Sequence, residues 1–299
     1  WVEAYTAFDA DSEIMHGDYE GAVSEVESYM QNRVGNPNEL YFPDESEIID
    51  TEIIYEGSGW GYIEEKITDK KISGFLSFPY AKDDETDMWK KLLEENKFEE
   101  TDIFAEPKSY VTGENWLKKL ENLAEKNWNT YLHIGVIKYA LGDVEGAKQA
   151  WEKSVEAKKS PWALRNLSMI YKNELGDMDK AREYILDAFE LKKDCTSLVK
   201  EVAAQLTADG HDSLWLEIYE TLNKDLKQMG RLRLYLAVSY INLSQLEKAK
   251  EIINEDFVMS DIKEGELSVS HYWFELYRRI YAMESGREYD ANDKQLIKE

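Results

Sequence analysis

A 34-residue repeat in the second half of the chain constrains its fold more than any other sequence feature. Gly142, Gly176 and Gly210 lie 34 residues apart, and the next step of that length reaches Ser244. Five and nine residues after each of these turn positions, two further positions stay in register. The first set holds Ala147, Ala181, Trp215 and Ala249, and the second holds Trp151, Ile185, Tyr219 and Ile253. A period that keeps a turn residue, a mostly small residue and a large apolar residue in register predicts repeated helix pairs.

The turn chemistry favours tetratricopeptide-like helical hairpins. Glycine adopts the left-handed conformation of a helix C-cap without steric cost, and Asp143 and Asp177 follow at once as N-caps of the second helix. Ser160 and Pro161 predict a further helix start, because Pro is favoured at the first helical position. We therefore predict an all-α fold, a tetratricopeptide-like helical-hairpin solenoid with an irregular, mostly helical N-terminal region. Its four units cover residues 129–159, 160–193, 194–227 and 229–254, and a last helix over 267–286 caps them.

Charge divides the chain near residue 126. The 299 residues carry 36 Lys and Arg against 61 Asp and Glu, a net charge of −25. Residues 1–126 hold 31 of the acidic and 12 of the basic side chains, a net charge of −19. We predict an acidic helical and loop region over 1–126 packed on the repeats, the capped solenoid over 127–286, and a polar tail over 287–299. A chain this acidic has no electrostatic footprint for nucleic acid or an anionic membrane.

The reactive side chains form no pattern that indicates catalysis. The single cysteine, Cys195, excludes an internal disulfide framework and fits a reducing compartment, so we expect a cytoplasmic location. The four histidines form no metal-binding spacing, and the GSGWG segment before Tyr62 lacks the GKS/T of a phosphate loop. We expect no metal, no cofactor and no catalytic residue in this segment.

Six segments together resemble one known arrangement. They read GSGWGYIEEK, MWKKLLEENKF, SYVTGENW, NTYLHIGVIKYALGDVEGAKQAWEKSV, SPWALRNLSMIYK and IKEGELSVSHYWFEL. The run is similar, over about residues 4–286, to the C-terminal part of a family of large bacterial proteins classed as a domain of unknown function. In that family a mutarotase-like β-sandwich precedes tetratricopeptide-like repeats, and the resemblance implies that this chain begins where the sandwich ends.

The repeats and the resemblance together predict a non-catalytic helical scaffold of a larger carbohydrate-related protein. We expect it to contact its own upstream β-sandwich, another protein, or a second copy in a homo-oligomer. Fold alone does not fix which of these partners it takes.

The first helix of each pair lines the groove of such an array, which gives a set of candidate interaction residues. In register they are Asn129, His133, Tyr139, Trp162, Arg165, Asn166, Lys172, Asn173, Arg231 and Tyr235. This basic and amide-rich strip fits an acidic segment or a C-terminal carboxylate of a partner. Alternatively, Arg165 and Asn166 pair with acidic residues of the chain's own first 126 residues, folded back along the groove. Charge reversal at Arg165 and Arg231 would then destabilise the chain.

The aromatic content, 12% of the residues, leaves a second function open. Trp60, Trp89 and Trp116 could stack on a sugar and complete a site on the upstream β-sandwich, which would make the segment an accessory part of a carbohydrate-active enzyme. A large core accounts for the same aromatic residues equally well, because Trp and Tyr bury much area. Calorimetry with oligosaccharides distinguishes the two functions.

Overall fold

The computed structural model describes residues 59–70, 85–263 and 265–289, together with Gly21 and Ser24. Within the described ranges the secondary structure is helical and contains no strand. The chain divides into two compact units, residues 1–157 (unit 1) and 158–299 (unit 2). The predicted all-α fold is confirmed. The domain boundary proposed at residue 126 stays a prediction. The two compact units divide the chain at another place, inside the predicted repeats.

Unit 1 contains five described helices. They are α1 (Trp60–Thr68), α2 (Asp87–Glu95), α3 (Glu114–Glu121), α4 (Trp128–Ala140) and α5 (Val144–Ala157). The helices α4 and α5 form a tight hairpin. Helix α3 packs on α4, and α1 packs on both α2 and α3. The core of this unit is rich in large side chains and includes Ile63, Trp89, Leu92, Trp116, Leu120 and Ile137.

Unit 2 contains eight described helices. They are α6 (Pro161–Asn173), α7 (Met178–Leu191), α8 (Thr196–Ala208), α9 (Asp212–Thr221), α10 (Lys224–Gln228), α11 (Gly230–Asn242), α12 (Leu246–Ile252) and α13 (Ser268–Glu284). The pairs α6–α7, α8–α9 and α11–α12 are the predicted hairpins, and α7 packs on α8 as α8 packs on α11. The last helix, α13, packs on α11 and α12 through buried Leu276 and Ile280. A helix is therefore present where the sequence predicts the last one, and its role as a cap stays a prediction.

The turns of the repeats have the backbone conformation that the sequence predicts. Gly142, Gly176 and Gly210 have φ of 83°, 66° and 76°, and Ser244 has φ of 58°. The side chain of Asp177 accepts a hydrogen bond from the backbone N–H of Lys180, as an N-cap does. Positive φ favours glycine. Ser244 is left-handed as well, so the turn keeps its place in the repeat even where a serine replaces the glycine.

The small and large register positions are all buried. Ala147, Ala181 and Ala249 have no exposed surface, and Trp215, at the same position of the third unit, has none either. Contacts between α8 and α9 are sparser than those between α6 and α7, as expected where a Trp replaces an Ala at a close helix approach. No helix in the described ranges is long and apolar enough to cross a membrane.

Candidate functional site

The first helices of the hairpins in unit 2 carry a row of accessible side chains, which we call the inner row. Its members are partly exposed and repeat at a spacing of three or four residues within each helix, which places them on one face. They are Arg165 and Met169 on α6, Glu201 and Ala204 on α8, and Arg231 and Tyr235 on α11. The neighbouring positions on the same helices, such as Leu167, Val202 and Leu232, are buried.

A bidentate ion pair joins α6 to α8 within the inner row. The guanidinium of Arg165 donates from Nε to Glu201 Oε2 and from Nη2 to Glu201 Oε1, both at 2.7 Å. Its Nη1 donates to the amide oxygen of Asn166 at 3.2 Å. The side chains of Arg165 and Glu201 keep 39% and 42% of their surface exposed, so solvent weakens the pair and leaves it open to competition by a partner.

A second cluster of charges joins α8 and α11 to the segment before α13. Arg231 forms an ion pair with Glu266 and donates from Nη2 to the backbone carbonyl of Asp261 at 3.0 Å. Lys200 pairs with the carboxylate of the same Asp261. The hydrogen bonds from Arg231 and Ser268 hold the pKa of Glu266 far below its usual range, and Lys200 lowers the pKa of Asp261. These carboxylates are therefore ionised at neutral pH and fix the positions of the two cations.

Carboxylates of unit 2 neutralise Arg165 and Arg231 of the predicted basic strip, and the role of that strip in binding a partner stays a prediction. Sequence reasoning did not select Glu201, Asp261 or Glu266. The spacing offered a signal, since Glu201 follows Arg165 by 36 residues and Glu266 follows Arg231 by 35. Both intervals are close to one repeat, so acidic residues at that offset were candidates for pairing. The fold-back of residues 1–126 stays a prediction, and charge reversal no longer tests it, since it breaks these pairs in any case.

The remaining predicted residues of unit 2 differ in exposure. Trp162 and Asn166 are buried, with 8% and 6% of their surface exposed. Lys172 and Tyr235 are partly exposed, and Asn173 is exposed. Burial raises the pKa of Tyr235. The surface open to a partner is therefore smaller than the predicted strip.

In unit 1 the predicted groove residues Asn129 and His133 are each only 2% exposed. Tyr139 is partly exposed and packs against Trp151 with ring centroids 6.0 Å apart. Asn129 and His133 therefore present no open surface to a protein partner, although both line a cleft of this unit.

The prediction that Trp89 and Trp116 stack on a sugar is wrong. Trp89 is fully buried and Trp116 is 4% exposed, and their rings meet edge to face with centroids 5.3 Å apart. Phe98 packs on Trp89 as well, at 5.2 Å. Trp60 is partly buried against the same core. The aromatic residues of this region form a core, because Trp rings bury large apolar areas.

We expect the substitution Arg231→Gln to loosen the segment that connects α12 to α13, since it removes the charge that holds Glu266 and Asp261. Cleavage of residues 255–267 by a protease specific for acidic residues should become roughly tenfold faster, because local opening governs such cleavage. Lys250→Gln, an exposed change on α12, is the matched control. Equal cleavage of the two variants would show that Arg231 does not restrain the segment.

Within the described residues, no group of three or more His, Cys, Asp or Glu side chains could hold a metal ion. A search of curated proteins finds no match to the chain. The sequence pattern of the tetratricopeptide repeat family matches residues 164–195. This stretch contains most of α6, the turn at Gly176 and all of α7, so the hairpin that carries Arg165 and Met169 is similar to a tetratricopeptide repeat.

Proposed function

We propose that this chain is a non-catalytic scaffold that binds another protein along the inner row of unit 2. The observation that carries the proposal is the row itself, in which accessible side chains recur on α6, α8 and α11, the first helices of successive hairpins. Repeat proteins of this kind bind partners on the extended surface formed by their stacked units. The match of the tetratricopeptide repeat family to α6 and α7 supports the same function.

The chemistry of the inner row indicates a partner segment of mixed character. Met169 and Ala204 offer apolar contact in the same row, and Tyr235 adds a ring with a polar tip. Because Arg165 already has a carboxylate partner, a ligand carboxylate must displace Glu201 to reach it. Apolar anchors therefore contribute more to affinity than charge, as in most protein interfaces.

A photoreactive side chain placed at Ala204 tests the proposal. We expect a discrete cross-linked product with a protein partner when the whole chain is produced in cells of the organism from which it comes. The matched control carries the same group at Glu183, an exposed residue of the second helix α7. The proposal fails if position 183 gives the same product as position 204, or if Ala204→Arg leaves the cross-linking from Met169 unchanged.

We further propose that the scaffold belongs to a larger bacterial carbohydrate-related protein and that its own upstream β-sandwich is a partner. The support is the resemblance of the six sequence segments, from GSGWGYIEEK to IKEGELSVSHYWFEL. A homo-oligomer in the cytoplasm is the other arrangement that we expect. Sedimentation of this chain with and without a separately produced sandwich domain distinguishes them, because only the first arrangement gives a new complex on mixing.

Two of the three tryptophans that were predicted to stack on a sugar lie in the core. The accessory sugar-binding function therefore depends on Trp60. Calorimetry of the chain with oligosaccharides still decides it. Heat of binding near millimolar affinity that is abolished by Trp60→Ala would restore that function. Absence of heat would leave the scaffold function as the better account.

A further inference from the structure

Unit 1 contains a cleft beside the hairpin of α4 and α5 that the scaffold function does not use, and we call it the lysine cleft. It has a volume of about 370 Å³, within the range of about 300–1,000 Å³ typical of small-ligand sites. Its walls come from the end of α3, the segment between α3 and α4, and one face of each helix of the hairpin. The lining residues are Glu121, Lys126, Tyr131, Ile134, Lys138, Gly146, Gln149, Ala150 and Lys153.

The lining of the lysine cleft is positive although the chain as a whole is strongly acidic. Three lysines and one glutamate line it, a net charge of +2, against −25 for all 299 residues. The lysines come from three places in the chain, the segment before α4, α4 itself and α5. One of them, Lys138, is paired with Glu121 at 3.2 Å and with Asp143 at 3.7 Å. The fold therefore brings like charges together at one place, where their field attracts anions.

The other two lysines have no carboxylate partner among the described residues. Lys126 Nζ donates to the backbone carbonyl of Leu123 at 2.7 Å. This bond orients the ammonium group but leaves its charge unbalanced, because a carbonyl is neutral. Lys153 Nζ lies 6.0 Å from the centroid of the Tyr131 ring, and the face of a ring attracts a cation without neutralising it. Two unbalanced cations therefore line the same cleft.

The charge and the shape of the lining indicate the chemical class of the ligand. A group with two negative charges balances Lys126 and Lys153 together, whereas a single carboxylate leaves one of them unbalanced. A phosphate monoester carries a charge of about −1.5 to −2 at neutral pH, and lysine binds phosphate as a point charge. Ile134 and Ala150 form an apolar floor, with 4% and 5% of their surface exposed, and Tyr131 adds a partly exposed ring. The floor and the ring suit the organic part of such an ester.

We propose that the lysine cleft binds a phosphate monoester, whose dianionic phosphoryl group lies between Lys126 and Lys153 and whose organic part packs on Tyr131 and the apolar floor. Charge-assisted hydrogen bonds of this kind are stronger than neutral ones. The hydrogen bond to Leu123 positions Lys126 before the ligand arrives, so binding has fewer side chains to order. The inference concerns unit 1 alone and stands whether or not the inner row of unit 2 binds a protein.

Titration of the whole chain with phenyl phosphate, followed by NMR of the backbone amides, tests the proposal. We expect shifts concentrated in residues 121–153, with a Kd on the order of 0.1–1 mM at low salt that weakens several-fold in concentrated salt as ionic attraction is screened. Benzoate, which carries one negative charge on the same ring, should bind several-fold more weakly. Absence of these shifts up to about 10 mM phenyl phosphate, or equal affinity for benzoate, would overturn the proposal.

Two substitutions with opposite expected effects separate this site from general attraction of anions to lysine. Lys153→Gln removes an exposed cation of the cleft and should weaken the binding of phenyl phosphate about threefold. Glu121→Gln removes the carboxylate of the lining and should strengthen binding about twofold, an effect that damage to the fold does not produce. Lys224→Gln, at an exposed residue of α10, changes the net charge by the same amount as Lys153→Gln and is the matched control. Equal affinities of the Lys153 and Lys224 variants, or weaker binding by Glu121→Gln, would contradict the proposal.

A phosphate monoester can come from a small molecule or from a phosphorylated side chain of a protein, and a second ligand distinguishes these sources. A capped peptide with one phosphoserine is titrated beside phenyl phosphate and followed by the same NMR shifts. Tighter binding of the peptide than of phenyl phosphate assigns the cleft to a phosphorylated partner. Binding of phenyl phosphate with no response to the peptide assigns it to a free ester. Failure of both ligands to shift residues 121–153 overturns the proposal for either source.

Discussion

Gly135→Ala is expected to destabilise unit 1 by about 2–4 kcal/mol, although alanine normally stabilises a helix relative to glycine by about 1 kcal/mol. A Cβ at this position of α4 would lie 2.3 Å from Trp151 Nε1 and 2.5 Å from Trp151 Cδ1. The indole is 1% exposed, and its Nε1 donates to the backbone carbonyl of Leu132 at 3.0 Å. The ring cannot move aside without breaking that bond, so α4 and α5 must separate.

Urea denaturation of the whole chain measures the loss, and hydrogen exchange of α4 and α5 assigns it to the hairpin. Trp151→Leu, alone and combined with Gly135→Ala, gives the control. The smaller side chain removes the clash, so Gly135→Ala should cost much less in that background than in the natural chain. An increase in stability for Gly135→Ala alone would mean that helix propensity outweighs the contact.

The features that the sequence predicts well are local ones. The left-handed turns at Gly142, Gly176 and Gly210 follow from a residue type at a fixed place in a hairpin. The same period assigned Ser244 to a turn and Ala249 to a helix contact. Each of these positions is determined by its own repeat, and a fixed period transfers the assignment from one unit to the next.

The features that the sequence predicts poorly depend on contacts between distant residues. Arg165 looked like an open cation because its partner, Glu201, belongs to the next repeat. Trp89 looked like a stacking platform because nothing near it in sequence shows that Trp116 and His133 cover its ring. Periodicity identifies the inner helices, but it does not say which of their side chains a neighbouring segment neutralises or buries.

His133 should make unit 1 sensitive to mild acid. Its pKa is about 3 in the folded chain and about 6.5 in an unfolded one. Above about pH 6.5 both states are neutral there and the contribution to stability is complete. Below that pH only the unfolded state takes up the proton, so stability falls by up to about 1.4 kcal/mol per pH unit. Between pH 6.5 and 5 the loss is about 1.7 kcal/mol.

Charged side chains line the same cleft as His133. Those lining the cleft are Glu85, Asp87, Glu99, Glu100, Glu106, Lys91 and Lys108. Burial among three aromatic rings is the cause of the lowered pKa of His133. Lys91 lowers the pKa of Glu99 below its ordinary value, so that carboxylate titrates below the window between pH 6.5 and 5. The part of the slope in this window that a substitution of His133 removes therefore reports on that residue.

His133→Phe is expected to remove about 1 kcal/mol per pH unit from that slope while the exposed control His271→Phe leaves it unchanged. Urea denaturation at half-unit steps of pH measures both variants against the natural chain. A phenylalanine cannot titrate, so a slope that persists in His133→Phe would place the proton uptake elsewhere. A slope lost in His271→Phe would contradict the assignment as well, because burial is what separates the two residues.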